Sequence, residues 1–351
     1  MNNFRLCYIS RNYLNSGVAG FKAKQDSEDT VALMGGVNIG LKRTFKKNKV
    51  TGFLLNLIGV TKSTILLRKG DVLFLQYPLR KYFKYLCRMA KRKGAKTIVL
   101  AHDFRCYHHV ELPETVDTDS LRLADYVIVG TEVMADWLRN RGINDVGVLG
   151  LWDFRSKSVR SAPSHSEGAQ QRTPVVVYAG SVRRRKTLFL EELAKRDLLY
   201  DIHLYGHLND MTELKKAKHI KVNPFVDSDT FIATVKGDFG LVWDSNSITG
   251  STGYYGEYQG LCLSHKTSFY LRAGLPVIVW SGSAVAPVVK REGIGLTVDS
   301  LEELPELLSR VKDEEMAAMR RNVERVSTLI ADGHYVRSAV NCALEMLSSK
   351  S

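Results

Sequence analysis

Residues 72–76, 97–101, 126–129, 175–178, 239–243 and 275–280 are short runs, nearly all apolar and rich in Val, Ile and Leu. They are too short for a helix and lack polar alternation, the pattern of a strand covered on both faces. Stretches with helical character separate them, among them 51–67, 131–141 and 187–196. Strand and helix alternating in this way predict an α/β fold, with parallel sheets carrying helices on both faces. The chain has 351 residues, a length that favours two domains. One polar stretch, 152–173, has no periodicity and reads as the joint between them. The expected layout is a doubly wound domain over 1–151, a linker over 152–173 and a second doubly wound domain over 174–331. A terminal segment follows over 332–351, expected to return to the first domain as a helix from Tyr335 to Leu347.

The stretch from Phe239 to Trp280 carries the most local detail. It reads as a strand, a long flexible loop rich in Gly, Ser and Tyr, a helix from His265 to Ala273, and a second strand. Ser264 stands at the N-cap position, Gly274 at C′, and Pro276 prevents the helix from resuming. Ligands of open parallel sheets bind outside the carboxyl ends of strands, where helices begin. The unpaired N–H groups and partial positive charge of a helix start suit a phosphate. Here that start also carries His265, Lys266 and Ser268. The alternative is an ordinary capped surface helix.

Other strand ends in the second half point the same way. Gly180 and Ser181, with Arg184 and Lys186 just beyond, suit a diphosphate. Tyr205-Gly206 and Pro224-Phe225-Val226 suit a base. In the first half, the loop 11–20 follows the opening strand without a GxGxxG fingerprint. Gly17 and Gly20 there either admit a ligand close to the backbone or form a plain turn. His102 and Asp103 end the strand at 97–101, with Arg105 nearby. A carboxylate so placed can take a proton from a hydroxyl, or cap a turn. Two DxD triplets, Asp117-Thr118-Asp119 and Asp227-Ser228-Asp229, have the composition of a divalent-cation site. Each precedes a helical run, so capping is the expected role. Cys106, His108 and His109 lack a fourth ligand at a familiar spacing. No metal and no other cofactor is expected.

Charge is segregated along the chain. Residues 1–160 hold 27 Lys and Arg against 14 Asp and Glu, while 161–351 hold 23 of each, so the whole net charge of +13 lies in the first part. Such a field attracts nucleic acid, anionic lipid or an acidic substrate. No nucleic-acid module and no aromatic basic sheet face is present, so nucleic acid is not the expected partner. Two basic clusters stand out, 42–49 and 80–93. The second alternates cations with Tyr82, Phe83, Tyr85, Leu86 and Met89, as a helix lying on an anionic membrane surface does. The alternative is that Phe83, Leu86 and Met89 face the domain's own core. Five scattered cysteines, none in a CxxC, suit a reducing compartment. No apolar run approaches the length of a membrane span, and no signal region precedes the first strand. A cytoplasmic protein is expected, free or peripheral on the inner face of the membrane. Self-association into a homo-oligomer is left open.

Several of these segments resemble one family. They are Tyr178-Ala179-Gly180-Ser181, Tyr205-Gly206, Gly240 to Asp244, and above all His265 to Trp280, continued by Gly293 to Val298. Ser16 to Gly20 and His102-Asp103 are similar but weaker. Together they resemble the bacterial galactofuranosyltransferase and glucosyltransferase family of GT-B enzymes, which elongates surface polysaccharides. Leu263-Ser264 departs from the Asn-Pro that usually precedes His-Lys there. The resemblance implies two Rossmann-like domains facing a cleft, the first binding acceptor and the second a UDP-sugar. It implies hexose transfer, of galactofuranose or else glucose, to a hydroxyl of a glycan or lipid-linked glycan, with no obligatory metal. It places Lys266 with Arg184 or Lys186 at the diphosphate. The preferred mechanism is inversion with Asp103 as base, flanked by His102. The alternatives are a nucleotide-sugar epimerase and a basic nucleic-acid-binding protein.

Overall fold

A computed structural model of the chain describes residues 4–13, 19–79, 81–108, 111–160 and 173–350. The chain divides into two compact units, 1–153 with 332–351, and 154–331. The first contains β1 (Leu6–Tyr8), β2 (Val37–Asn38), β3 (Val72–Tyr77), β4 (Lys96–Ala101), β5 (Tyr126–Val129) and β6 (Val146–Val148). These pair in parallel in the order β2-β1-β3-β4-β5-β6. The second contains β7 (Val175–Ala179), β8 (Asp201–Tyr205), β9 (Ile220–Asn223), β10 (Phe239–Val242), β11 (Val277–Trp280) and β12 (Gly295–Val298). Their order is β12-β11-β10-β7-β8-β9, again all parallel. The central strands are buried because helices cover both faces of each sheet. Strand order reverses between β1 and β3 and between β7 and β10. Each reversal opens a crevice beyond the strand ends, the usual place for a ligand in such a sheet.

The terminal helix His334–Ser349 packs on β4, β5, β6 and the Ala19–Leu33 helix. Its first turn is held by Asp153, whose carboxylate accepts from Tyr335 N at 3.1 Å and Val336 N at 2.8 Å. Trp152 is buried, its ring stacked on His102 at 4.6 Å between centroids. Trp152 and Asp153 thus belong to the first unit, two residues past the expected start of the linker. A large indole and a capping carboxylate both gain from burial there.

Other expectations need correction. The stretch expected to be a flexible loop contains a helix, Gly253–Gln259. Asp117 lies inside the helix Thr115–Leu121 rather than before it. It caps a different turn, accepting from Arg105 N at 2.9 Å and Cys106 N at 2.8 Å. Asp227 does cap the helix that follows it, accepting from Asp229 N and Thr230 N, both at 3.0 Å. In the helix Phe83–Arg92, residues Phe83, Leu86 and Met89 are only 3%, 0% and 6% exposed. Its apolar side is core, so these side chains do not lie in a lipid headgroup layer.

Candidate functional site

The helix His265–Arg272 starts beyond the carboxyl end of β10, at the strand-order reversal of the second sheet. Ser264 caps it, its side chain accepting from Lys266 N at 3.3 Å. Tyr270 fixes the helix on the sheet by reaching across β10, where its hydroxyl accepts from Ala179 N of β7 at 2.7 Å. Gly240 on β10 makes this possible, because a Cβ there would lie 2.3 Å from the Tyr270 ring. Past the helix, Gly274 takes φ +69° at C′.

This anchoring brings Lys266 to a carboxylate that two lysines share. Lys266 Nζ donates to Asp244 Oδ1 at 2.6 Å, and Lys186 Nζ lies 3.1 Å from Oδ2. Tyr178 OH donates to Asp244 at 2.8 Å, accepts from Lys266 Nζ at 2.6 Å, and its ring lies 3.9 Å beneath that ammonium. Burial alone would raise the Asp244 carboxyl. The two ammonium groups and the Tyr178 hydroxyl outweigh burial and hold it at about 2. Burial lowers Lys266, and repulsion from Lys186 adds to this against the pull of Asp244, leaving it at about 8. One carboxylate between two cations leaves a net positive charge in a largely enclosed place. The hydroxyls of Thr267 and Ser268, both fully buried, have no hydrogen-bond partner among the described residues. Unmet polar groups at a helix start, beside an excess cation, suit an anion.

The other expected residues fall into two groups. Gly180 and Gly206 form a tight crossing beside Lys266. Gly180 has φ +142° and its Cβ position lies 3.4 Å from Lys266 Cε, while a Cβ on Gly206 would meet the Gly180 carbonyl oxygen at 2.1 Å. The φ of Gly180 and the close approach at Gly206 both favour glycine. Ser181 is exposed and accepts from Asn209 Nδ2 at 3.1 Å. Tyr205 is half-buried against Phe231. Phe225 is 59% exposed and stacks on His207 at 5.1 Å, beside a cavity of about 840 Å³ lined also by Asn209, Lys221 and Asn223. His265 is half-buried next to Lys266. Arg184 turns elsewhere, its guanidinium paired with Glu191 at 2.6 Å and Glu213 at 2.7 Å. Asp244, Tyr178 and His207 were not singled out from the sequence as site residues. A carboxylate directly after a buried central strand is the signal that marks Asp244.

The first unit has its own cavity at the reversal between β1 and β3, about 630 Å³ in volume. Tyr8, Phe21, Phe53 and Leu75 give it an apolar lining, and Arg11, Lys24 and Glu28 give it charge. Burial, with repulsion from Arg11, lowers the Lys24 ammonium to about 7 against the pull of Asp103. Burial raises the Glu28 carboxyl although Ser10, Tyr13 and Arg43 donate to it. His102 is buried, stacked on Trp152 and 2.7 Å from Gln76 Oε1, whose amide donates to the Lys24 carbonyl at 3.0 Å. His102 is thus packed in the core, and its chain neighbour Asp103 is half-buried. Gly17 lies outside the described residues, as does His109; Cys106 is half-buried. Among the described residues no three His, Cys, Asp or Glu side chains group as a metal site.

Residues 6–149 match the family described as Glucosyltransferase 3-like, N-terminal domain, and residues 176–343 match Glucosyltransferase 3-like, C-terminal domain. The chain belongs to the glucosyltransferase 3-like family. This glucosyltransferase 3-like chain is 26% identical over 347 residues to the beta-1,6-galactofuranosyltransferase WbbI of Escherichia coli (strain K12), covering 95% of the chain and 96% of that relative. It is 28% identical over 291 residues to Glucosyltransferase 3 of Streptococcus gordonii, covering 80% and 81%. Among solved structures, sucrose-phosphate synthase from Thermosynechococcus elongatus gives a TM-score of 0.65 at 12% identity, over 99% of this chain and 100% of that one. Anabaena Alr3699/HepE, in complex with UDP, gives 0.61 at 14%, over 99% and 100%. The fold is GT-B, two doubly wound α/β domains, and the glucosyltransferase 3-like chain is a glycosyltransferase.

Proposed function

We propose that this glycosyltransferase moves a hexose from a UDP-sugar to a hydroxyl of a glycan or lipid-linked glycan, with inversion and without a metal ion. The observation that carries the reading is the Lys266–Asp244–Lys186 cluster at the helix start, which leaves a cation unmatched where a diphosphate would lie. Exposed Phe225 on His207 offers a stacking face for uracil. The relative WbbI is named a galactofuranosyltransferase, and the HepE structure, similar in fold, holds UDP. Galactofuranose is accordingly the first donor sugar proposed, and glucose the second. Five free cysteines suit work in the cytoplasm.

In this mechanism the second unit binds donor and the first binds acceptor. Asp103 takes the proton of the acceptor hydroxyl as that oxygen bonds to the anomeric carbon. The bond from that carbon to the phosphate oxygen breaks, and the electron pair leaves with UDP. Lys266, Lys186 and the N–H groups of the helix start stabilise the charge that builds there. The first unit's cavity, apolar with a buried Lys24, suits an acceptor that carries both an apolar part and an anionic group.

A thermal-shift screen followed by a transfer assay tests the reading. A ligand at 100 times its dissociation constant adds about 2.7 kcal/mol, so UDP, UDP-galactofuranose or UDP-glucose should raise Tm clearly. The sugar that also disappears into product is the donor. No stabilisation by any uridine diphosphate compound would contradict the proposal.

A further inference from the structure

We propose that the helix Lys49–Leu66 is the surface through which this protein rests on an anionic lipid bilayer. The inference deepens the acceptor reading above and depends on it only for what the bilayer presents. The helix is inverted relative to an ordinary surface helix. Gly52, Gly59, Val60 and Ser63 face the protein, while Val50, Leu54, Leu57, Ile58 and Ile65 are 67%, 49%, 40%, 53% and 72% exposed. These five recur at i, i+4, i+7, i+8 and i+15, which confines them to a sector of about 100°. Phe53 and Leu66, 41% and 38% exposed, widen the stripe. An exposed apolar band of this length marks an interaction surface.

Charge decides which partner fits. Between positions 30 and 102 there are 16 Lys and Arg and a single acidic residue, Asp71. Lys46, Lys47 and Lys49 are exposed at the helix start, and Lys62 along it. The cations of the Phe83–Arg92 helix stand alongside: that helix packs on this one, and Lys81, just before it, sits 4.7 Å from the Phe53 ring. A second copy of the chain would set this field against itself, whereas anionic headgroups complement it. No described helix is long and apolar enough to cross a membrane, so the helix lies in the interface plane, its stripe among the acyl chains and its lysines at the phosphates. Lys49, Gly52, Phe53, Asn56 and Val60 also line the first unit's cavity. A bilayer under the stripe therefore holds that cavity at headgroup level.

The test uses the full chain and vesicles of phosphatidylcholine alone or mixed with phosphatidylglycerol. Wild type should sediment with the mixed vesicles, less so as salt rises. Leu54→Ser/Leu57→Ser/Ile58→Ser should bind at least ~10-fold more weakly, and Lys46→Gln/Lys47→Gln should lose most of the salt-sensitive part. Both variants should keep the UDP-dependent Tm shift and transfer to a water-soluble acceptor, which separates this inference from the donor reading. Leu57→Trp should gain blue-shifted emission over wild type when mixed vesicles are added. Equal vesicle binding by the triple-Ser variant and wild type overturns the proposal. So does a wild-type dimer that the triple-Ser variant converts to monomer without any vesicle binding, which would assign the stripe to a second copy.

Discussion

Lys266 Nζ lies 2.6 Å from Asp244 Oδ1, yet the carboxylate is not Lys266's alone, since Lys186 approaches its other oxygen at 3.1 Å. The cluster of two lysines and one aspartate is therefore short of one negative charge. Asp244→Asn should expose that deficit by leaving two ammonium groups close together with no counter-ion. Removing one partner of a buried ion pair costs about 3–5 kcal/mol, and the residual exposure here, 14% and 15% of the two side chains, puts the expected loss at the lower end. UDP supplies the missing charge, so its Tm shift should be larger in Asp244→Asn than in wild type. A lowered Tm with an unchanged UDP shift would make Asp244 a purely structural partner.

The pH dependence follows from the same cluster. Burial and Lys186 bring Lys266 down to about 8 from an ordinary 10.5. Donor binding needs its charged form, so the Kd for UDP should be flat below that pH and rise above it. The guanidinium of Lys266→Arg stays charged, so that variant should lose the rise even if its affinity is lower throughout. The linkage to stability has the opposite sense. Between about 8 and 10.5 the unfolded chain binds the extra proton, so this group's share of stability increases with pH there. Titration calorimetry across this range checks the first effect and thermal unfolding without ligand checks the second.

How much of this was legible depended on how far apart the cooperating residues lie. Ser264, Lys266 and Gly274 could be read directly, because caps are local and their signals sit within one helix. Asp244 is 22 residues from Lys266 and Tyr178 is 88, and only the strand order brings them together. Arg184 and Lys186 looked equivalent in sequence. The short helix that begins at Arg184 turns one toward Glu191 and Glu213 and the other toward Asp244. The helix Gly253–Gln259 was missed because Gly and Tyr are weak helix formers. For Lys49–Leu66 the spacing gave a helix but not its orientation, since periodicity does not say which face meets the protein. Small residues at Gly52, Gly59 and Ser63 settle that by allowing close packing on their side.

Asp103→Asn keeps the size of the side chain and removes the proton acceptor. Loss of a general base lowers rates by about 10²–10⁴-fold. The variant should lose kcat within that range while its UDP affinity and Tm stay near wild type. Full kcat would reduce Asp103 to a partner of Lys24. His102→Phe keeps the stacking on Trp152 but loses the bond to Gln76, and should lower kcat by less than Asp103→Asn does.

Metal independence has a simple check. Asp227 accepts from the backbone N–H groups of its helix and Asp117 from those of a neighbouring turn, so the first carboxylate of each DxD triplet acts as a cap, which supports the proposal of a metal-independent reaction. Turnover should survive EDTA and gain little from added manganese. Turnover abolished by EDTA and restored by manganese would reverse the proposal.

The central claim is that the start of the His265–Arg272 helix holds the donor diphosphate. Calorimetric titration of UDP into folded Lys266→Ala tests it most directly. Lys266 lies at a helix start, its side chain 14% exposed, and Asp244 keeps Lys186 as its counter-ion when Lys266 is removed, so the fold should survive, which unfolding curves will show. A hydrogen bond to a charged group contributes about 1.5–3 kcal/mol, so the Kd for UDP should rise by about 10–150-fold. An unchanged Kd in the folded variant would remove the donor from this helix.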